Sequence, residues 1–185
     1  MLTVEPDQEA FLQRLRDEHD IKEVLQRYCR GVDRRDFDLV RSTYHPDARD
    51  AHGPYNGDVD GLIDWMTRRH EGVAQSMHVL ANCLIEWRDQ DRAEVETYCV
   101  TYQRLRGSNA ATADVGLTVG GPGQQTQVRC RYLDRFERRQ GEWRIADRAV
   151  IYESLLLETS EESPFAPEML VATRGCDDPL YTHFH

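Results

Sequence analysis

The sequence has no apolar run near the ~20 residues that a membrane-spanning helix needs, which argues against a transmembrane segment. Its start, Met1-Leu2-Thr3-Val4-Glu5-Pro6-Asp7, lacks the basic and apolar stretches of a secretory signal, so the expected location is the cytoplasm. Positive charge is also short. There are 23 basic residues against 33 acidic ones, and the net charge of −10 excludes nucleic acid and anionic membrane as expected partners. No Cys-x-x-Cys occurs. Cys29, Cys83, Cys99, Cys130 and Cys176 are odd in number and far apart, which suits reduced thiols rather than a disulfide framework. Repeats and domain boundaries are absent too. The 185 residues fit a single domain, 1–185, with a helical extension over 1–17 and a tail over 157–185.

What is present is a change of period. Residues 7–18 predict a charged helix. A second helix is expected to start at Asp20, with Glu23 completing a capping box. Ile21, Val24, Leu25, Tyr28 and Val32 then form one apolar stripe. A short helix is expected over 36–43, ended by His45-Pro46-Asp47. Residues 48–60 read as turn-rich with one short strand, and 61–70 as a further amphipathic helix. From Met77 the period becomes 2. Met77, Val79, Ala81, Cys83, Ile85 and Trp87 predict one apolar face. His78, Leu80, Asn82, Leu84 and Glu86 predict a second, mixed face of the kind that lines a ligand cavity. Another strand is expected over 92–106, a loop over 107–124, and a hairpin at Gln140-Gly141 joining 130–138 to 143–156. Helices followed by long antiparallel strands predict an α+β domain, with helices on a strongly curved, mostly antiparallel sheet that forms an open cone.

Two segments carry chemistry. Tyr28-Cys29-Arg30-Gly31-Val32-Asp33 ends the apolar stripe, and Ser76-Met77-His78 opens the mixed strand. A phenol, a carboxylate and an imidazole suffice to move a proton without metal or cofactor. Taken singly, Asp33 suits a solvated acid, His78 a structural histidine and Tyr28 a core aromatic. Five residues along a helix rotate by about 140°, so Tyr28 and Asp33 are not on one line. Asn82 shares the mixed face with His78 and is a candidate for binding a polar group. Tyr98 and Tyr102 share a strand face that either lines the cavity or packs outward. The segment from His45 to His52 matches no metal-binding spacing, and no metal is expected.

The element order resembles the SnoaL-like branch of the NTF2-like superfamily, the cystatin-like α+β barrel. The helix Asp20–Tyr28 with Gly31-Val32-Asp33, the strand Ser76-Met77-His78 and the hairpin Phe136–Ile145 carry the resemblance, over roughly residues 15–155. Within that branch the positions are similar to those of bile acid 7α-dehydratase, scytalone dehydratase and hexachlorocyclohexane dehydrochlorinase. The resemblance implies a cofactor-free lyase acting on a hydrophobic cyclic or aromatic small molecule. It implies a His78–Asp33 acid/base pair, with Tyr28 beside it and Arg148 and His52 at substrate-binding positions. It also implies a homotrimer or homodimer. Carbon–carbon cleavage, and isomerisation or cyclisation of a polyketide- or steroid-like substrate, lie within the same range. So does a non-catalytic subunit of the aromatic-ring dioxygenase β type. One departure stands out: residues 79–182 contain no histidine, so the second active-site histidine that scytalone dehydratase carries on a later strand is missing.

Overall fold

The computed structural model describes residues 6–106, 124–159 and 165–183. The expected loop over 107–124 lies outside the described residues, apart from its last residue.

The first helix, α1, runs unbroken from Pro6 to Arg34. The two helices expected here are therefore one, and Asp20 and Glu23 sit in its middle rather than at a cap. Its two halves differ. Phe11, Leu12 and Leu15 are exposed, whereas Ile21, Val24, Leu25, Tyr28 and Val32 are all buried in the core. Asp17 ties the first half down by accepting hydrogen bonds from Trp143 Nε1 and an Arg138 NH group, each at 2.9 Å. Beyond α1 lies α2 (Phe37–Ser42), N-capped by Asp36. A Cβ at Gly31 would stand 2.7 Å from Val40 Cγ2, so glycine there lets α2 pack onto the end of α1.

Strands β1 (Tyr44–Ala51) and β2 (Asn56–Asp58) lead into α3 (Val59–Glu71), and then come β3 (Val73–Trp87), β4 (Arg92–Leu105), β5 (Gln124–Arg139) and β6 (Glu142–Thr159). A short helix, α4 (Pro179–Thr182), ends the described tail. The six strands form one sheet in the order β2-β1-β6-β5-β4-β3. Only β1 and β6 are parallel. β1 passes through His45-Pro46, which sequence reading treats as a stop. It does so because its register with β6 shifts between Tyr44 and Arg49, where a residue without an N–H is tolerated. The β5–β6 hairpin turns at Gln140 and Gly141, both at positive φ, as a two-residue turn of the favoured twist requires. The concave face of the sheet packs on α1 and α3, and the core lies between them.

β3 departs from strict alternation. Its register with β4 shifts between Leu80 and Cys83. Ser76, His78 and Leu80 turn toward the helices before the shift, and Cys83, Ile85 and Trp87 after it. Met77 and Val79 are consequently exposed on the outer face, opposite the residues they were expected to join.

Candidate active site

The end of α1 lies against the start of β3 and places Asp33 beside His78. Asp33 Oδ1 lies 2.6 Å from His78 Nδ1, and Oδ2 accepts the His78 backbone N–H at 2.8 Å. The Ser76 hydroxyl donates to Oδ1 at 2.8 Å. Three donors thus fix one carboxylate. Burial alone would raise the Asp33 pKa, but the His78 and Ser76 hydrogen bonds and the imidazole charge outweigh it and hold the carboxyl below its usual range. A carboxylate accepts from a protonated nitrogen. Nδ1 therefore carries the hydrogen, which leaves the Nε2 lone pair for a ligand.

His78 lines a cavity of about 450 Å³ between the sheet and the helices. Tyr28, Trp65, Met66, Val128, Val150 and Tyr152 supply much of its apolar wall. Tyr28 borders the cavity directly, whereas Asp33 stands behind His78 and does not line it. The angular offset between the two helix positions is resolved in this way: Tyr28 faces the cavity, and Asp33 faces the ring of His78. Tyr28 is buried, which raises its pKa well above the usual value, so the phenol keeps its proton at neutral pH.

A second imidazole faces the same cavity. His52 follows the end of β1, and its Nδ1 lies 3.1 Å from Asp50 Oδ1. Asp50 is fully buried and also accepts the Tyr44 hydroxyl at 2.7 Å. Burial would raise the Asp50 pKa, but His52, Arg148 and Tyr44 outweigh it and lower it. The His52 ring lies 5.5 Å from that of Trp65. A third histidine, His70 of α3, also lines the cavity and is buried beside Arg69 and Arg174. Burial, and then those two guanidinium charges, push its pKa well below the usual value, so it is neutral.

The other candidates sit elsewhere. Arg148 is fully buried and pairs with Asp134 through two hydrogen bonds, at 2.6 and 2.7 Å. Burial opposes its charge, but Asp134 more than offsets it, and the guanidinium pKa is raised. It lies 4.2 Å from the Tyr28 and Tyr132 ring centroids, and so supports Tyr28 from beneath rather than lining the cavity. Asn82 falls within the β3 register shift and is exposed, away from the cavity lining. Tyr98 is 41% exposed on the outer face, with Arg131 near its ring, which settles its open orientation as outward. His45 bonds the Glu137 carbonyl at 2.9 Å and does not converge with His52.

Residues 13–149 match the family model described as a SnoaL-like domain. The chain belongs to the SnoaL-like family. No curated protein matches the sequence. Among solved structures, a hexachlorocyclohexane dehydrochlorinase, LinA Type2, is similar at 18% identity and a TM-score of 0.68, covering 85% of this chain and 97% of its own. The LinA-type3 dehydrochlorinase from Novosphingobium barchaimii LL02 is 18% identical, with a TM-score of 0.67 over 84% of this chain and 98% of its own. A protein provisionally named scytalone dehydratase, from Novosphingobium aromaticivorans DSM 12444, is 11% identical, with a TM-score of 0.66 over 85% and 97%. These likenesses show the NTF2-like α+β fold expected from the sequence. Three residues in or beside the cavity gave no signal in the sequence. His70 and Arg69 sat in a stretch read only as an amphipathic helix, and Arg174 in a tail read as irregular.

Proposed function

We propose that this SnoaL-like protein is a cofactor-independent lyase that eliminates a leaving group from a hydrophobic cyclic or aromatic small molecule. One observation carries the reading. Two imidazoles, each with a carboxylate on Nδ1, line one largely apolar cavity. Elimination needs a base for a carbon-bound proton and an acid for the departing group. His78 Nε2 takes the proton, and Asp33 stabilises the imidazolium that forms. The electron pair left on carbon becomes the new double bond, and the leaving group departs with its own bonding pair. Tyr28, held protonated, donates to that group, and His52 on the other wall, its Nδ1 hydrogen on Asp50, offers the Nε2 lone pair to a polar group of the substrate. The missing histidine on a later strand is answered by His52, which reaches the cavity from β1. Isomerisation would share the first step and return the proton to carbon instead. The expected homotrimer or homodimer belongs to the same reading, and light scattering of the purified chain measures it.

The test is a panel of hydroxylated or halogenated ring compounds, followed by mass spectrometry for loss of water or acid with no metal or cofactor added. Wild type should turn over at least one. His78→Ala should lower that rate by about 10²–10⁴-fold with the melting temperature nearly unchanged. Full activity in His78→Ala would remove His78 from the chemistry.

A further inference from the structure

Arg69 lines the cavity with no counter-ion among the described residues. It stands in the last turn of α3, and its guanidinium lies 5.7 Å from the Trp65 ring centroid. Among the described residues it makes no ion pair. One NH group donates to Gln103 Oε1 at 2.9 Å. The other lies 3.2 Å from His70 Nε2. That second contact is not a usable hydrogen bond. Neutral His70 has a single acceptor nitrogen, and Nδ1 takes the shorter bond, 2.7 Å, from Arg174. Nε2 then carries the hydrogen and meets Arg69 donor to donor. Arg69 Nε is buried and has no partner among the described residues.

The nearby carboxylates are engaged elsewhere. Asp33 is held by His78 and Ser76. Glu153, the acid in the cavity lining, accepts from Arg131 Nε at 2.7 Å. Arg174 adds a second, half-buried cation nearby, bound to the Val32, Asp33 and Val73 carbonyls rather than to an acid. An unpaired guanidinium in an apolar cavity is costly to bury. Its free donors form a flat fork that suits a carboxylate.

We infer that the cavity binds a carboxylate-bearing ring compound, with Arg69 as the anion-binding residue. Resting on the proposed acid/base site, this narrows its substrate class. The anion is anchored at the α3 side of the cavity, and the reactive carbon lies toward His78. A hydrogen-bonded path joins the two ends: Arg69 to Gln103, Gln103 Nε2 to Ser76 Oγ at 3.4 Å, and Ser76 to Asp33.

Calorimetric titration with 2-naphthoate and its uncharged counterpart 2-naphthamide tests the inference. Wild type should bind the carboxylate at least about 10-fold more tightly, as a hydrogen-bonded charge pair implies. Arg69→Met should erase that preference while leaving naphthamide affinity within about threefold, and Arg69→Lys should restore part of it. Failure of wild type to bind naphthoate, equal affinity for the two probes, or a preference that survives Arg69→Met would overturn it. His78→Ala should keep the preference for naphthoate over naphthamide. The binding claim and the acid/base claim therefore fail separately, the latter only on turnover.

Discussion

The cavity has two His–carboxylate pairs, and they are built differently. In the Asp33–His78 pair the acid comes from a helix and the base from a strand 45 residues later. Its carboxylate receives two bonds from His78 itself, ring and backbone, and a third from Ser76. In the Asp50–His52 pair the acid is at the end of β1 and the imidazole just after it, and the ring contact is longer, at 3.1 Å against 2.6 Å. Its carboxylate is the more deeply buried and is shared with Tyr44. The first pair is organised around its imidazole. The second is organised around its carboxylate, with Arg148 contributing charge nearby. A base must keep one tautomer through the reaction, whereas a polar contact to the substrate is shared with Tyr28 in the same cavity. The account therefore gives His78 the proton abstraction and His52 the supporting part.

Substituting the two acids should break the pairs unequally. Asp33→Asn frees the His78 tautomer and should lower turnover by about 10²–10⁴-fold, with a small change in melting temperature. Asp50→Asn should lower turnover by only ~10-fold. It should cost more stability, about 1–3 kcal/mol, because a buried acceptor of two bonds is changed. Equal rate losses would erase the distinction drawn between the pairs, and steady-state kinetics with thermal melts reads both quantities.

A smaller effect separates both pairs from His70. The folded-state pKa of His70 is depressed, so the stability it contributes is present above the unfolded value of about 6.5 and lost as pH falls below it. His45 is depressed by burial and adds to the same window. Asp33 and Asp50 are depressed carboxylates, and their contribution is lost only as pH falls below about 4. Melting temperatures should decline in two stages, and His70→Gln should flatten the first. A first stage that persists unchanged would place its origin elsewhere.

Much of this was legible in the sequence, for identifiable reasons. The stripe from Ile21 to Val32 declared the core face of α1, and Gln140-Gly141 declared the hairpin. Asp33 and His78 were paired through family resemblance, because nothing local links residues so far apart. Asn82 misled because a register shift in β3 is invisible to strict alternation. Arg148 misled because the resemblance supplied its position but not its partners: Asp134 and three tyrosines enclose it. Arg69, His70 and Arg174 converge from α3 and a tail more than 100 residues later, and no pattern in the sequence announces that meeting.

The most direct test of the paired-imidazole site is the ¹⁵N spectrum of the histidine side chains at a pH where His78 is neutral. The account predicts a His78 ring protonated at Nδ1 and bare at Nε2, with that preference lost in Asp33→Asn. A His78 protonated at Nε2 in the wild-type protein would contradict it, since the base would then have no lone pair to offer the substrate.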